Sequence, residues 1–297
     1  MYGNILEAIG NTPLVKINRM NKNPSVDIYA KLEGFNPTGS IKDRIALKMI
    51  EQAESEGALA EGKIIIEATS GNTGIGLAMI GAVKGYRVQI VMSSAVSEER
   101  QKMIKAFGGE IILTPAGLGT DGAIMKTREL IVGNPDGYFH PNQFSNVYNK
   151  LTHYSTTSEE IWDQTGGTVT HFVSAVGTSG TIMGVGMGLR EKNPDIKIIE
   201  AHPVKGHYIQ GLKNMEEAIV PELYNVDEIS ESVMVESEDA FEMARRIVVE
   251  EGIFVGMSSG AAMIAALRVA EEIDSGVIVA IFPDRGEKYL STDLFRV

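Results

Sequence analysis

Stretches typical of buried strands alternate with stretches typical of helices from about residue 60 onward. The predicted strands are residues 63–67, 87–92, 110–114, 168–176, 197–202 and 277–282. The predicted helices are residues 72–85, 97–108, 121–132, 180–192, 238–251 and 258–273. Apolar strands that are joined through helices form parallel sheets covered on both faces. The sequence therefore predicts an α/β fold with mostly parallel sheets.

A polar segment interrupts this alternation at residues 140–149. It contains Pro141 and three asparagines. Because a chain of 297 residues is long enough for two domains, we predict that this segment connects two α/β lobes.

The composition argues against several classes of function. Apolar residues make up 43% of the chain and charged residues 22%, which is ordinary for a soluble globular protein. No apolar run reaches the length of a membrane span, and the first residues lack the pattern of a signal peptide. A cytoplasmic protein without a membrane partner is therefore expected. The formal net charge of −12 argues against a nucleic-acid partner.

Cysteine and histidine usage argues against a transition-metal site. The chain has no cysteine, so it has neither a disulfide framework nor a thiolate nucleophile. Its five histidines lack the spacing of metal-binding motifs. No metal cofactor is expected.

One lysine stands at a corner between a strand and a helix. In the run PTGSIKDR at residues 37–44, proline and glycine end a strand, and Ser40 with Asp43 fits a helix capping box. The next helix then begins around Lys42, where an ammonium group lies in an unfavourable dipole field. A lysine bound to the aldehyde of pyridoxal phosphate avoids that cost. From these residues alone, an exposed lysine in an ordinary first turn remains the alternative.

Two glycine-rich loops follow predicted strands and open predicted helices. They are TSGNTG at residues 69–74 and GTSGT at residues 177–181. Free N–H groups at a helix start suit an anion, and glycine lets the backbone approach it closely. The second loop fits neither the dinucleotide fingerprint nor the P-loop. A plain capped turn remains the alternative for the first loop, and a close-packed turn for the second.

Two later segments are ambiguous when taken alone. In GMSSG at residues 256–260, either serine is adequately explained as a helix N-cap. PDRGEKY at residues 283–289 follows the last predicted strand, where open α/β sheets place their sites. A charged surface loop is the alternative there.

Together, and in this order, these segments resemble the cysteine synthases, which are fold type II enzymes dependent on pyridoxal phosphate. The resemblance covers nearly the whole chain. It is carried by residues 10–15, 31–44, 69–74, 142–144, 177–181, 256–260 and 283–292.

The resemblance implies two open, twisted α/β lobes with the cofactor in the cleft between them, as in the β subunit of tryptophan synthase. Residues 1–35 and 146–297 are expected to form the larger, cofactor-binding domain. Residues 36–145 are expected to form a smaller mobile domain that carries the loop with Asn72. The resemblance also implies a homodimer and leaves docking of a serine acetyltransferase open.

The resemblance also implies roles for named residues. Lys42 is expected to hold the cofactor as a Schiff base and later to remove the substrate α-proton. Asn72 is expected to bind the cofactor 3′-oxygen, and Ser258 to face the pyridine nitrogen. The expected phosphate cradle is Gly177, Thr178, Ser179, Gly180 and Thr181. The expected partners of the substrate α-carboxylate are Thr69, Ser70, Thr73 and Gln143.

The implied reaction is a β-replacement. It makes L-cysteine from O-acetyl-L-serine and sulfide through an aminoacrylate intermediate, so the enzyme is a transferase. A hydroxyl such as that of Ser258 does not hold a proton on the pyridine nitrogen as a carboxylate does, which favours loss of a β-substituent over transamination. Capture of the carboxylate is expected to close the smaller lobe and exclude water.

Two departures from the usual family pattern bear on phosphate binding. Ser179 stands where the family usually has glycine, and its hydroxyl is expected to add a phosphate contact. GLKNM at residues 211–215 and VPELY at residues 220–224 resemble the B-type isoform branch, some members of which accept O-phosphoserine through a basic residue. Lys213 is the candidate for that residue, and a solvated loop lysine is the alternative.

Other functions remain open at this point. An O-phosphoserine-accepting sulfhydrylase is the nearest alternative to the O-acetylserine enzyme. A cystathionine β-synthase-like enzyme and a cysteine-consuming, sulfide-releasing enzyme share the same core. An inactive paralogue that binds the C-terminus of a partner is the non-enzymatic alternative, and the intact Lys42 argues against it.

Overall fold

The computed structural model describes residues 1–295 and contains ten strands in two sheets. The strands are β1 (Leu14–Lys16), β2 (Val26–Leu32), β3 (Ile64–Ala68), β4 (Val88–Ser93), β5 (Glu110–Thr114), β6 (Tyr138–Phe139), β7 (His171–Ala175), β8 (Lys197–Pro203), β9 (Glu231–Val235) and β10 (Gly276–Phe282). The α-helices are α1 (Lys42–Ser55), α2 (Asn72–Lys84), α3 (Glu98–Ala106), α4 (Gly119–Gly133), α5 (Val147–Thr152), α6 (Ser158–Gln164), α7 (Gly180–Lys192), α8 (Ser237–Glu251) and α9 (Met257–Glu272).

Both sheets are mostly parallel. The six-stranded sheet has the order β1-β2-β10-β7-β8-β9, and the four-stranded sheet has the order β5-β4-β3-β6. Among the strands of residues 1–295, only β1 and β2 pair antiparallel. The predicted α/β class with mostly parallel sheets is confirmed.

The predicted elements after residue 60 are all present. Their ends differ from the predicted ends by at most three residues. The strands and α-helices that the sequence analysis missed are β1, β2, β6, β9, α5 and α6. β2 has no helix beside it in sequence, yet it pairs in parallel with β10 along seven residues. Parallel pairing at such a sequence separation leaves no local signal.

The largest core cluster packs the six-stranded sheet against α8 and α9. A Cβ atom at Gly260 would lie 2.0 Å from the carbonyl oxygen of Ala240, so glycine is required where these two helices cross. α2 is apolar around most of its circumference and is buried beside the four-stranded sheet. No helix within residues 1–295 is both long and apolar enough to cross a bilayer.

The loops that follow β3, β7 and β10 line one common cleft. Parallel strands direct their carboxyl ends to the same edge of a sheet, and open α/β sheets place their ligands there. The fold therefore brings together three segments that lie far apart in sequence.

Candidate active site

One cleft is lined by residues that follow strands of both sheets. It contains most of the side chains that the sequence analysis singled out. Those that line it are Lys42, Thr69, Ser70, Asn72, Thr73, Gln143, Gly177, Thr178, Thr181, Lys213 and Ser258. Ser179 and Gly180 lie in the same loop but do not line the cleft.

Lys42 is the first residue of α1 and lies half-buried in the cleft. Burial lowers the pKa of Lys42 to about 8, and the carboxylates of Asp284 and Glu33 only partly oppose that shift. From the sequence, the helix dipole was expected to disfavour the charged form of this lysine. In the structure, desolvation is the main cause of its lowered pKa. A lowered pKa increases the share of neutral, nucleophilic amine.

The prediction that Ser40 and Asp43 form a capping box is wrong, because they do not make the hydrogen bonds of that motif. The Ser40 hydroxyl accepts a long bond from the Lys42 N–H, at 3.3 Å, and the Asp43 carboxylate does not reach back to Ser40. Asp43 instead accepts from both the N–H (2.7 Å) and the hydroxyl of Thr38. Gly39, with a φ of +81°, folds Thr38 over the helix start, so the buried carboxylate finds its donors there.

The loop at residues 177–181 presents free backbone donors at the start of α7. Within residues 1–295, none of its five N–H groups donates to an acceptor. Ser179 has a φ of +64°, a left-handed conformation that turns the chain sharply into the helix. Consecutive free N–H groups at a helix start are suited to hold a phosphate.

The side chains of this loop are held by neighbouring residues. Asn149 donates to the Thr178 hydroxyl at 3.0 Å, and the Thr181 hydroxyl lies 3.2 Å from Nε2 of His153. His153 begins a turn of π-helix, His153–Thr157, that the sequence analysis missed. The Ser179 hydroxyl donates to the Thr178 carbonyl at 2.6 Å, so it is used inside the loop and not in the cleft.

Asn72 opens α2, and both ends of its amide are bound. Its Nδ2 donates to Asp284 at 2.7 Å, and its Oδ1 accepts from Lys288 at 2.9 Å. Burial lowers the pKa of Lys288 to about 8. The amide nitrogen carries two hydrogens, so one remains available on the side of the cleft.

The loop at residues 69–74 is tied to the polar segment after β6. The Thr73 hydroxyl donates to Oε1 of Gln143 at 2.6 Å, and Nε2 of Gln143 donates to the Ala68 carbonyl at 3.0 Å. The Thr69 hydroxyl accepts from the Gly71 N–H at 3.0 Å. Thr69, Thr73 and Gln143 are nearly fully buried, so these groups are fixed before any ligand binds.

Lys213 lies at the cleft with its charge already paired. Its ammonium is 2.8 Å from the Asp121 carboxylate, donates to the Ile219 carbonyl and stacks over the Phe144 ring at 5.0 Å. The lysine is 8% exposed, so it is not a solvated loop residue. Asp121 belongs to α4, which lies between β5 and β6 of the four-stranded sheet, whereas Lys213 follows β8 of the six-stranded sheet, so this ion pair joins the parts of the chain that form the two sheets.

Sequence reasoning missed Asp284, Tyr289 and Gln210, which also line the cleft. Asp284 and Tyr289 belong to the segment after β10, and their place at the carboxyl end of a buried strand was the available signal. Gln210 is 4% exposed, and its Nε2 has no partner within the described residues. No sequence signal singles it out.

The residues present fit pyridoxal phosphate. The free N–H groups of residues 177–181 suit its phosphate, and the low pKa of Lys42 suits reaction with its aldehyde. The Ser258 hydroxyl is free of partners within residues 1–295 and lines the same cleft, as a contact to the pyridine nitrogen requires.

The family model described as pyridoxal-phosphate dependent enzyme matches residues 5–284. A cysteine synthase of Aquifex aeolicus is 48% identical to this chain, over 98% of this chain and 91% of that protein. Cysteine synthase B of Escherichia coli is 45% identical, over 97% of this chain and 95% of its own length.

A solved structure agrees with these relatives. The crystal structure of a cysteine synthase from Entamoeba histolytica matches with a TM-score of 0.93 and 45% identity. The match covers 100% of this chain and 91% of that one. The chain therefore belongs to the cysteine synthase family of pyridoxal-phosphate dependent enzymes.

Proposed function

We propose that this chain makes L-cysteine from O-acetyl-L-serine and sulfide by replacing the substituent on the β-carbon. The observation that carries the proposal is Lys42, a half-buried lysine of low pKa that shares one cleft with two loops of free N–H groups. A catalytic amine, a phosphate cradle and a carboxylate loop are the parts that such a reaction needs.

Pyridoxal phosphate, when bound, withdraws electrons from the substrate α-carbon and so makes loss of the α-proton and of the β-substituent feasible. Lys42 would bind its aldehyde, and Asn72 and Ser258 would hold its ring. Gly177 to Thr181 would hold its phosphate. The ε-amine of Lys42 would accept the substrate α-proton and later return it.

The loop at residues 69–74 orients the substrate through its carboxylate. Ser70 N–H, Asn72 N–H and Thr73 N–H have no acceptor within residues 1–295, so they are available as donors. Because Gln143, itself held by the Ala68 carbonyl, already fixes the Thr73 hydroxyl, little ordering remains when the carboxylate binds.

The domain division follows the sheets. Residues 1–35 and 146–297 make up the larger domain, and residues 36–145 the smaller domain, which moves when the carboxylate binds. Closure excludes water from the reacting β-carbon. The ion pair of Lys213 with Asp121 joins the two domains and supports a closed arrangement.

O-Acetylserine is favoured over O-phosphoserine by the pairing of Lys213. A phosphate on the substrate needs an uncompensated positive charge, whereas the Lys213 ammonium already meets Asp121 at 2.8 Å. An acetyl group carries no charge and needs no such partner. Asp121 would compete with a substrate phosphate for the Lys213 ammonium, and this supports the acetyl ester as substrate.

The surroundings of the enzyme are also proposed. A cytoplasmic homodimer without a nucleic-acid or membrane partner fits the net charge of −12 and the resemblance to the family. Sedimentation of the purified holoenzyme at two concentrations tests the dimer.

A side-by-side turnover assay tests the activity. O-Acetylserine, O-phosphoserine and serine are each offered with sulfide, and cysteine is offered alone. We expect the highest kcat/KM with O-acetylserine. A higher kcat/KM with O-phosphoserine would overturn the assignment of the leaving group, and turnover of cysteine alone would overturn the assignment to synthesis.

A further inference from the structure

A second cavity lies behind the wall of the cleft. It lies between α4 and residues 219–222. Phe144 lines both the cleft and this cavity. The cavity therefore adjoins the substrate site without being part of it.

Two buried polar atoms that make no hydrogen bond in the described part of the chain belong to residues that line this cavity. Oε1 of Glu67 and the hydroxyl of Thr127 make no hydrogen bond within residues 1–295, and their side chains are 0% and 1% exposed. Nε2 of His140 is the nearest basic atom to the Glu67 oxygen, and at 3.7 Å it is too far for a hydrogen bond. A buried carboxylate oxygen without a donor is costly, so this position calls for a donor from outside the chain.

The other walls of the cavity are suited to an apolar body and an anionic end. Ile124, Val220 and the Phe144 ring form an apolar surface. Arg128 also lines the cavity, and its guanidinium makes no hydrogen bond or ion pair in the part of the chain that the structure describes. The residues that line the cavity thus include a buried acceptor, an apolar surface and an unpaired guanidinium.

We propose that this second pocket binds a small apolar α-amino acid. Its ammonium group donates to Oε1 of Glu67 and to the Thr127 hydroxyl, which together supply the acceptors that an ammonium needs. Its side chain packs against Ile124 and Phe144. Its carboxylate faces Arg128.

Occupation of the pocket is coupled to the substrate site through Glu67. The second carboxylate oxygen of Glu67 accepts the backbone N–H of Gln143 at 3.3 Å. The side chain of Gln143 in turn holds the Thr73 hydroxyl at 2.6 Å. An ammonium on Glu67 weakens its hold on Gln143, and by reciprocity the substrate carboxylate changes the affinity of the second pocket.

The test uses the holoenzyme and L-valine as the probe. Calorimetry reports total binding, and the visible absorption of the cofactor separately reports any L-valine in the main cleft. Thr127→Val removes one acceptor of the ammonium group, and we expect about tenfold weaker binding at the second pocket with no change in the absorption response. Thr114→Val is the matched control, since Thr114 is also buried with an unpartnered hydroxyl but lies outside the pocket.

Isovalerate, which lacks the ammonium group, is expected not to bind the second pocket. A crystal structure with L-valine should show its nitrogen within hydrogen-bond distance of Glu67. Density for water alone in that pocket, or equal effects of Thr127→Val and Thr114→Val, would overturn the proposal. These outcomes do not depend on which substrate is turned over.

Discussion

Two clusters of buried charge flank Lys42, and they differ in how completely their groups are paired. The anchor cluster consists of Lys31, Glu33, Arg44 and Glu160. The cleft cluster consists of Asn72, Arg100, Asp284, Lys288 and Tyr289. The first lies behind the start of α1, and the second lies at the cleft.

The anchor cluster is saturated. Arg44 donates to both oxygens of Glu33, at 2.8 and 2.9 Å, and to both oxygens of Glu160, at 2.6 and 2.7 Å. Lys31 adds a bond to Glu160 at 2.6 Å. Arg44 follows Lys42 by two residues, so this cluster fixes the start of the helix that carries the candidate catalytic amine.

The cleft cluster leaves atoms free. One oxygen of Asp284 accepts from Asn72 (2.7 Å), Tyr289 (2.8 Å) and Arg100 (3.1 Å), while its other oxygen has no partner within residues 1–295. Nε of Arg100 is likewise unpartnered there. The cluster joins residues that follow strands of both sheets, so its bonds are free to change when the cleft changes shape.

The comparison indicates that the anchor cluster mainly stabilises the fold and that the cleft cluster mainly serves function. Full pairing makes a buried charge cluster costly to break, whereas partial pairing keeps groups available to a ligand. Mutations in the anchor cluster should therefore act mainly on the free energy of unfolding, and mutations in the cleft cluster mainly on catalysis.

The largest effect is expected for Arg44→Met. It leaves the carboxylates of Glu33 and Glu160 buried without their main partner, which costs about 3–5 kcal/mol in the free energy of unfolding. Urea denaturation followed by circular dichroism measures the loss. Arg87→Met, at an arginine whose side chain is 68% exposed, is the control and should change stability by less than about 0.5 kcal/mol. A loss in Arg44→Met no larger than in the control would remove the distinction.

Glu160→Gln tests the same cluster through pH. Burial alone would raise the pKa of Glu160, but hydrogen bonds from Arg44 and Lys31 lower this pKa from 4.5 to about 2. The carboxylate therefore adds stability above pH 4.5, and this is lost as the pH falls toward 2. The gap in unfolding free energy between wild type and Glu160→Gln should shrink by about 3 kcal/mol over that range. Glu159→Gln, at the neighbouring exposed carboxylate, should show no such gap at any pH.

Asp284→Asn tests the cleft cluster. The amide no longer offers Asn72, Arg100 and Tyr289 one common anionic acceptor, so the Asn72 amide moves from its place in the cleft. A misplacement of about 1 Å costs about 100-fold in rate, and kcat/KM for O-acetylserine should fall by that factor. Steady-state kinetics measure it, with the cofactor absorption as a second readout. Wild-type kinetics together with an unchanged spectrum would show that Asp284 does not position Asn72.

The smallest effect on activity is expected for Lys288→Met. Asn72 loses the donor to its Oδ1 but keeps Asp284, so kcat should fall about tenfold. Stability should move in the opposite direction to that of Arg44→Met. Burial lowers the pKa of Lys288 from 10.5 to about 8, so its charged form destabilises the fold below pH 8, and removing it should raise the free energy of unfolding at neutral pH. A loss of stability there would contradict this account of the cluster.

The sequence predicts the parts of this molecule that have local signals. Most strands and helices after residue 60 follow from apolar periodicity and glycine stops, and the position of Lys42 at a helix start follows from proline, glycine and serine just before it. β2 could not be placed, since its partner β10 lies about 250 residues away.

The site was predicted as a set of segments but not as a set of contacts. Asp43 finds its donors in Thr38 and not in Ser40, because a turn at Gly39 brings Thr38 over the helix. Asp121 pairs with Lys213 across 92 residues, and no spacing rule announces such a pair. Long-range side-chain pairing depends on how the two sheets meet, which the sequence patterns do not encode locally.

The central claim is that Lys42, and not Lys288, whose pKa burial also lowers to about 8, holds the cofactor. Borohydride reduction of the purified holoenzyme, followed by peptide mass spectrometry, fixes the cofactor to the lysine that binds its aldehyde. The account predicts the added mass on Lys42 alone. Added mass on Lys288, or on no lysine at all, would contradict it.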